Sequence, residues 1–304
     1  MENEARIKSI GFKVVDRRRD EIEPLLLRCQ QELRPFEIGL YFNDPSSHDL
    51  IEQALPDPNV LLNTHIDHRR LNVFALDEYD TGPHLRRQIE LSLKWGADYG
   101  INHLSAFPLP RREQAQTELQ EKLSKQLSLL NSICREYQFP IYLENTYHEL
   151  DLYRQTFRAI RENQFEYLHF CFDFGHAKIW STKPLTEWLK FLEELKRDNK
   201  KIHFHLHTNR GLSDEHLSFI EAEWLDIIKA DSYTSPMNSF EAIEQIDQQF
   251  PESRKLMEVP PQEAIENLRA VADEIDQIRR KRELLTASFP KKMQRQNGSS
   301  EPFM

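Results

Sequence analysis

Ile202-His-Phe-His-Leu-His207 alternates apolar and imidazole side chains, the two-residue period of a β-strand. His203, His205 and His207 therefore share one face. Three histidines pressed against packed helices would be costly to satisfy. The easier home for that face is the interior of a closed sheet, near a metal. Upstream lie two more short β-rich runs, Pro140-Ile-Tyr-Leu-Glu-Asn145 and Tyr167-Leu-His-Phe-Cys-Phe-Asp173. They are separated by helical patterns over Leu150–Asn163 and Leu185–Arg197. Strands divided by helices imply βαβ units and a parallel sheet.

The same alternation runs the length of the chain. Further strands are expected over Ile7–Val15, Phe36–Phe42, Asn59–His65, Ile101–Phe107 and Lys255–Val259, making eight. Further helices are expected over Asp20–Leu33, Pro83–Trp95, Glu113–Tyr137, Phe240–Phe250 and Pro261–Arg282. In Glu113–Tyr137, Leu119, Leu123, Leu127 and Leu130 mark one apolar face. No Gly-x-Gly-x-x-Gly follows the first strand, so the reading is a closed α/β (β/α)8 TIM barrel rather than an open dinucleotide sheet. A single barrel domain is expected over 1–285. The polar segment 286–304 reads as a mobile tail.

Composition narrows the function. The 304 residues are 39% hydrophobic and 30% charged, ordinary for a soluble globular protein. The net charge of −10 argues against broad nucleic-acid affinity but leaves room for a local basic patch. The start is polar, and no apolar run approaches the roughly 20 residues of a membrane helix, so neither a secretory signal nor a membrane partner is expected. Cys29, Cys134 and Cys171 lie far apart and form no Cys-x-x-Cys. That excludes a disulfide framework and a cysteine zinc site, and fits a reducing cytoplasm.

Barrel enzymes collect catalytic groups at the C-terminal ends of their strands. Here those ends read Thr64-His65-Ile-Asp-His68, Asn102-His103, Leu143-Glu144-Asn145, Phe172-Asp173-Phe-Gly-His176, His203–His207 and Met257-Glu258-Val259. A lone Glu at a strand end is usually a solvated loop residue, and a lone strand His is usually a hydrogen-bonded core residue. Six consecutive strand ends carrying such groups make a ring. Imidazole with carboxylate suits Zn(II), Mn(II), Fe(II) or Co(II). The lack of thiolates excludes a structural zinc knot. Two or three close metals need bridging carboxylates, for which Glu144 and Glu258 are placed, and such a cluster suits phosphoester hydrolysis. A single metal would instead polarise a sugar carbonyl or hydroxyl.

Leu143-Glu144-Asn145, Asp173-Phe-Gly-His176, His205-Leu-His-Thr-Asn-Arg-Gly-Leu-Ser-Asp214-Glu-His216-Leu and Leu-Met-Glu258-Val together resemble the xylose isomerase-like barrel superfamily. That group includes endonuclease IV (AP endonuclease family 2) and the sugar phosphate isomerases/epimerases. The resemblance runs from about Ile7 to Arg280. It implies that Glu144, Asp173, His205 and Glu258 match the ligands of the single-metal isomerases. It further implies that His65, His103, His176, Asp214 and His216 match the ligands added in endonuclease IV. His207 rivals His205, and His68 rivals His65 more weakly. Thr208 stands where relatives often carry Asp, and Leu217–Trp224 replaces a glycine-rich motif.

The resemblance implies a multinuclear phosphoester hydrolase, with Glu144 and Glu258 catalytic and about two or three Zn or Mn ions per chain. Its substrate would be phosphorylated or sugar-containing, DNA included. One alternative is a sugar or sugar-phosphate isomerase/epimerase with one divalent metal. Another is a multinuclear iron oxidase acting on a peptide. Arg210 is a candidate for a substrate phosphate, since its fork matches phosphate oxygens. Lys178 and Trp180 could line the mouth. Arg17-Arg-Arg19 and Arg69-Arg70 are basic candidates whose ordinary reading is a solvated face.

Overall fold

The computed structural model describes residues 8–54, 60–78, 80–104, 109–210, 213–221 and 239–288. Eight strands close into a barrel in chain order: β1 (Ile10–Val15), β2 (Pro35–Gly39), β3 (Leu61–His65), β4 (Gly100–His103), β5 (Ile141–Glu144), β6 (Leu168–Asp173), β7 (Ile202–Leu206) and β8 (Lys255–Met257). Every neighbouring pair is parallel, including β1 with β8. The helices are α1 (Arg19–Glu32), α2 (Pro45–Ala54), α3 (Thr81–Lys94), α4 (Glu113–Tyr137), α5 (Leu150–Glu162), α6 (Phe174–Trp180), α7 (Leu185–Arg197), α8 (Ser239–Gln249) and α9 (Pro261–Ser288). This is the (β/α)8 architecture expected. Residues 289–304, most of the expected tail, lie outside the described residues.

The main apolar core lies between barrel and helices. Phe12, Val14, Phe36, Ile38, Phe170, Phe172 and Phe204 leave the strands outward and are buried under the helix layer. On α4, Leu123, Leu127 and Leu130 are buried and Leu119 is partly so. Helix α2 was not expected, and α6 follows β6 with no intervening loop. Asp173 is the reason for the second: its side chain accepts from the His176 N–H at 2.7 Å and caps α6. β8 ends at Met257, so Glu258 stands just beyond the strand, its N–H donating to Leu206 O at 3.1 Å. Among the described residues no helix is long and apolar enough to cross a membrane. All three cysteines are buried free thiols.

Inside, the barrel departs from the usual branched apolar filling. Lys13, Glu37 and Asn63 pair in register across β1, β2 and β3, all buried. Cys171 and His203 pair across β6 and β7. The polar interior continues upward into the ring of strand-end residues.

Candidate metal centre

Glu144, fully buried at the end of β5, is the hub. One oxygen, Oε2, lies 2.9 Å from His65 Nε2 and 3.2 Å from His103 Nε2. The other, Oε1, lies 3.2 Å from His176 Nδ1 and 3.5 Å from His205 Nδ1. Asp173 Oδ2 is 3.8 Å from His205 Nδ1, and Glu258 Oε2 is 3.1 Å from the same atom. Asp214 Oδ2 sits 3.0 Å from both His176 Nε2 and His216 Nε2. All nine residues of the expected ligand set are thus brought together. They fall into groups whose ligand atoms lie within 4.8 Å of one another: Glu144–Asp173–His205–Glu258, and His176–Asp214–His216 with His207. His65 and His103 form a third such group with His68.

Proton counting shows what these groups want. A neutral imidazole has one N–H and one lone pair. His65 faces acceptors on both sides, Ile66 O at 3.0 Å from Nδ1 and Glu144 from Nε2. His176 lies between Asn145 O at 2.8 Å and Asp214. His216 lies between Glu258 O at 3.2 Å and Asp214. Each ring needs either two protons or one proton and a cation. For His65, burial lowers the pKa to about 4, so the second proton is not available at neutral pH. Three buried atoms that face one another, Glu144 Oε1, His205 Nδ1 and Glu258 Oε2, have no hydrogen-bond partner. The donor set of imidazole nitrogen and carboxylate oxygen fits divalent ions. His216 is also held at φ 51°, in the left-handed region, strain of the kind that gathers at functional sites.

Burial opposes charge throughout the ring. On His176, Asp173, Asp214 and Glu144 outweigh it and raise the imidazole well above its ordinary value. Burial on His216 is likewise overcome by Glu258 and Asp214. Burial would raise Glu144 and Glu258, yet His103 and His205 hold the first well below the carboxylate range, and Lys13 and His216 do the same for the second.

The other expected residues are placed as follows. His68 stacks on His103 with centroids 3.8 Å apart and stands in one group with His65 and His103. Trp180 packs on His176 with ring centroids 4.7 Å apart. Lys178 donates to Ser239 Oγ at 2.9 Å. Arg210 is exposed, its guanidinium 3.4 Å from Glu215. Arg18 and Arg19 pair with their own helix, at Glu21 and Glu23. Arg17 and Arg69 stand over the exposed Phe42 ring at 5.5 and 4.9 Å, forming a cationic lip after β2. Arg70 lies 3.7 Å from Asp67.

Lys13 and Glu37 were not foreseen. The Lys13 ammonium is hydrogen-bonded to Glu258 and lies 3.8 Å from Glu37 Oε1. The available signal was a charged residue in the middle of an otherwise apolar strand, Gly-Phe-Lys13-Val-Val and Pro-Phe-Glu37-Ile-Gly. In a parallel barrel such a strand is covered on both faces, so the charge must find a buried partner. A cavity of about 680 Å³ lined by Tyr99, Tyr142, Lys201 and Arg254 opens at the opposite end, where strands begin.

No family model and no curated protein matches the chain. Solved structures do. The TTHB071 protein from Thermus thermophilus, soaked with ZnCl2, is 22% identical over 88% of this chain and 98% of that one, with a TM-score of 0.59. A D-tagatose 3-epimerase-like protein is 18% identical over 89% and 99%, with a TM-score of 0.62. A xylose isomerase domain protein from Planctomyces limnophilus is 11% identical over 92% and 99%, with a TM-score of 0.55. The chain therefore has the xylose isomerase-like TIM-barrel fold.

Proposed function

We propose that this chain is a multinuclear metal-dependent hydrolase acting on a phosphoester. The observation that carries the reading is the two-sidedness of Glu144. Its oxygens face different sets of histidines, His65 and His103 on one side, His176 and His205 on the other. A carboxylate so placed would serve ions held by either set of histidines. Charge supports this. With the imidazoles neutral, as metal ligands must be, Glu37, Glu144, Asp173, Asp214 and Glu258 set five carboxylates against one ammonium, Lys13, leaving four negative charges. Two divalent ions neutralise that, and a third makes the site positive and suited to an anionic substrate. The zinc soak of the similar Thermus barrel points to zinc among the ions, with manganese an equal fit to these ligands.

Bound there, such ions supply Lewis acidity toward phosphoryl oxygens and a strong nucleophile at neutral pH. The chain supplies the rest. Glu144 and Glu258 would supply the negative charge that holds the ions. Asp214 and His216 complete the outer group. Arg17 offers a guanidinium to a phosphodiester backbone, DNA among the candidates, while Arg69, tied to Asp67 and to Tyr41 O, adds positive charge beside it.

One observation favours a second reading, a sugar or sugar-phosphate isomerase/epimerase. Glu144, Asp173, His205 and Glu258 converge closely enough to hold one ion by themselves. Metal content by elemental mass spectrometry, with hydrolysis of bis(p-nitrophenyl) phosphate, separates the two. About two or three ions per chain, fewer in His65→Ala, with hydrolysis lost in a folded Glu144→Gln, is the expected outcome. About one ion, unaffected by His65→Ala or His216→Ala, favours the isomerase. Iron with oxygen uptake would point to the oxidase.

A further inference from the structure

His205 and His207 sit two residues apart on one face of β7, both buried, and both reach the carboxylates of the ring. Distance alone does not separate them. Their hydrogen bonds do. We infer that Glu37 and Asn209 set opposite proton positions on these two rings, making His205 a metal ligand through Nδ1 and His207 a donor that orients Asp173. The inference rests on the metal-dependent reading above and says which side chains serve it.

His205 turns Nε2 down into the barrel, 3.0 and 3.2 Å from the two oxygens of Glu37. A carboxylate there accepts only, so Nε2 carries the proton. In the neutral ring Nδ1 then carries the lone pair, aimed at the space shared by Glu258, Glu144 and Asp173. Glu37 is itself held. Asn63 Nδ2 donates to it at 2.5 Å, His203 Nε2 lies 3.3 Å away, and Lys13 stands 3.8 Å from it. His203 in turn is anchored by the Tyr99 hydroxyl, 2.8 Å from Nδ1. A carboxylate behind a ligating histidine is a common device for fixing its ring and raising its basicity.

His207 meets the reverse arrangement. The Asn209 side-chain oxygen accepts from the Glu215 backbone N–H at 2.7 Å, which fixes the amide's orientation. Its Nδ2 then donates to His207 Nδ1 at 3.4 Å. With Nδ1 occupied as an acceptor, the ring's one proton sits on Nε2 and is given to Asp173 at 3.1 Å. His207 therefore needs no cation: one donor and one acceptor use up a neutral imidazole. His65, His176, His205 and His216, each between two acceptors, do not have that balance.

The test uses the full chain with ¹⁵N-labelled histidine, loaded with zinc(II) or ¹¹³Cd(II). Long-range ¹H–¹⁵N spectra report which ring nitrogen carries hydrogen, and ¹¹³Cd–¹H coupling reports which rings are ligated. The expected result is metal at His205 Nδ1, a proton on His205 Nε2, and no cadmium coupling at His207. Coupling at His207, or ligation of His205 through Nε2, overturns the inference. Glu37→Gln should weaken zinc binding about 10- to 100-fold with an unchanged circular dichroism spectrum. Asn209→Asp covers the case in which Glu37→Gln does not fold. It places an acceptor against Nδ1 and should move the His207 proton there, and an unmoved proton refutes the assignment. If wild type binds neither ion, the metal-dependent reading itself fails, a result distinct from binding through the wrong atoms.

Discussion

Replacing Gly175 with alanine tests the packing behind Asp173-Phe-Gly-His176. Elsewhere in a helix, Gly→Ala gains about 0.5–1 kcal/mol. Here a Cβ would lie 2.1 Å from His207 Cε1 and 2.4 Å from Nδ1. To regain an ordinary contact near 3.4 Å the ring must withdraw about 1.3 Å. It has little room, since His216 stacks on it at 4.3 Å. Its 3.0 and 3.1 Å contacts with Asp173 would then be broken. Overpacking costs about 1–3 kcal/mol, and a buried hydrogen bond to a charged group about 1.5–3 kcal/mol. After the helix gain, Gly175→Ala is expected to destabilise by about 3 kcal/mol. With an unfolding entropy of about 2.1 cal/mol/K per residue, that lowers Tm by about 5 °C. Thermal unfolding followed by circular dichroism reads it directly. An unchanged or higher Tm would show that His207 is not wedged against α6 and would refute the packing described.

Two further outcomes are expected. His176, His205 and His216 all have raised pKa values, so at neutral pH they hold protons that a divalent ion must displace. Zinc affinity should therefore rise with pH above 6.5, and binding heats measured in two buffers of different ionisation enthalpy should differ; identical heats would contradict the proton count. Lys13→Met leaves Glu258 and Glu37 without their ammonium, a loss of about 3–5 kcal/mol for a broken buried pair. The metal-free variant should melt below wild type and gain more from added zinc; equal gains would place Lys13 outside the ring's charge balance.

Much of this was legible in the chain. The strand ends named His65, His103, Glu144, Asp173, His176, His205 and Glu258, because barrel topology brings such positions to one rim, while Asp214 and His216, in the loop after β7, came only from the family resemblance. The choice between His205 and His207 was not legible. Alternation puts both inside, and the deciding partner, Glu37, lies 168 residues away in sequence. The glycine of Asp173-Phe-Gly-His176 could be seen but not explained until the His207 ring was found against it. Helix α2 escaped because Pro45–Ala54 is short, with Leu50 and Ile51 its only large buried apolar residues. Asp16 went unnoticed for a related reason. It takes the Tyr41, Phe42 and Asn43 N–H groups at 2.7, 2.7 and 2.9 Å, a role set by loop geometry rather than by pattern.

The polar filling of the barrel has a consequence for descent. Lys13, Glu37, Asn63 and His203 satisfy one another across four strands, and loss of Lys13 or Glu37 leaves the buried partner short of a counter-charge. Drift at these positions is therefore blocked one substitution at a time. They are expected to change together, so a related barrel that has lost the lysine of its first strand should have lost the glutamate of its second as well.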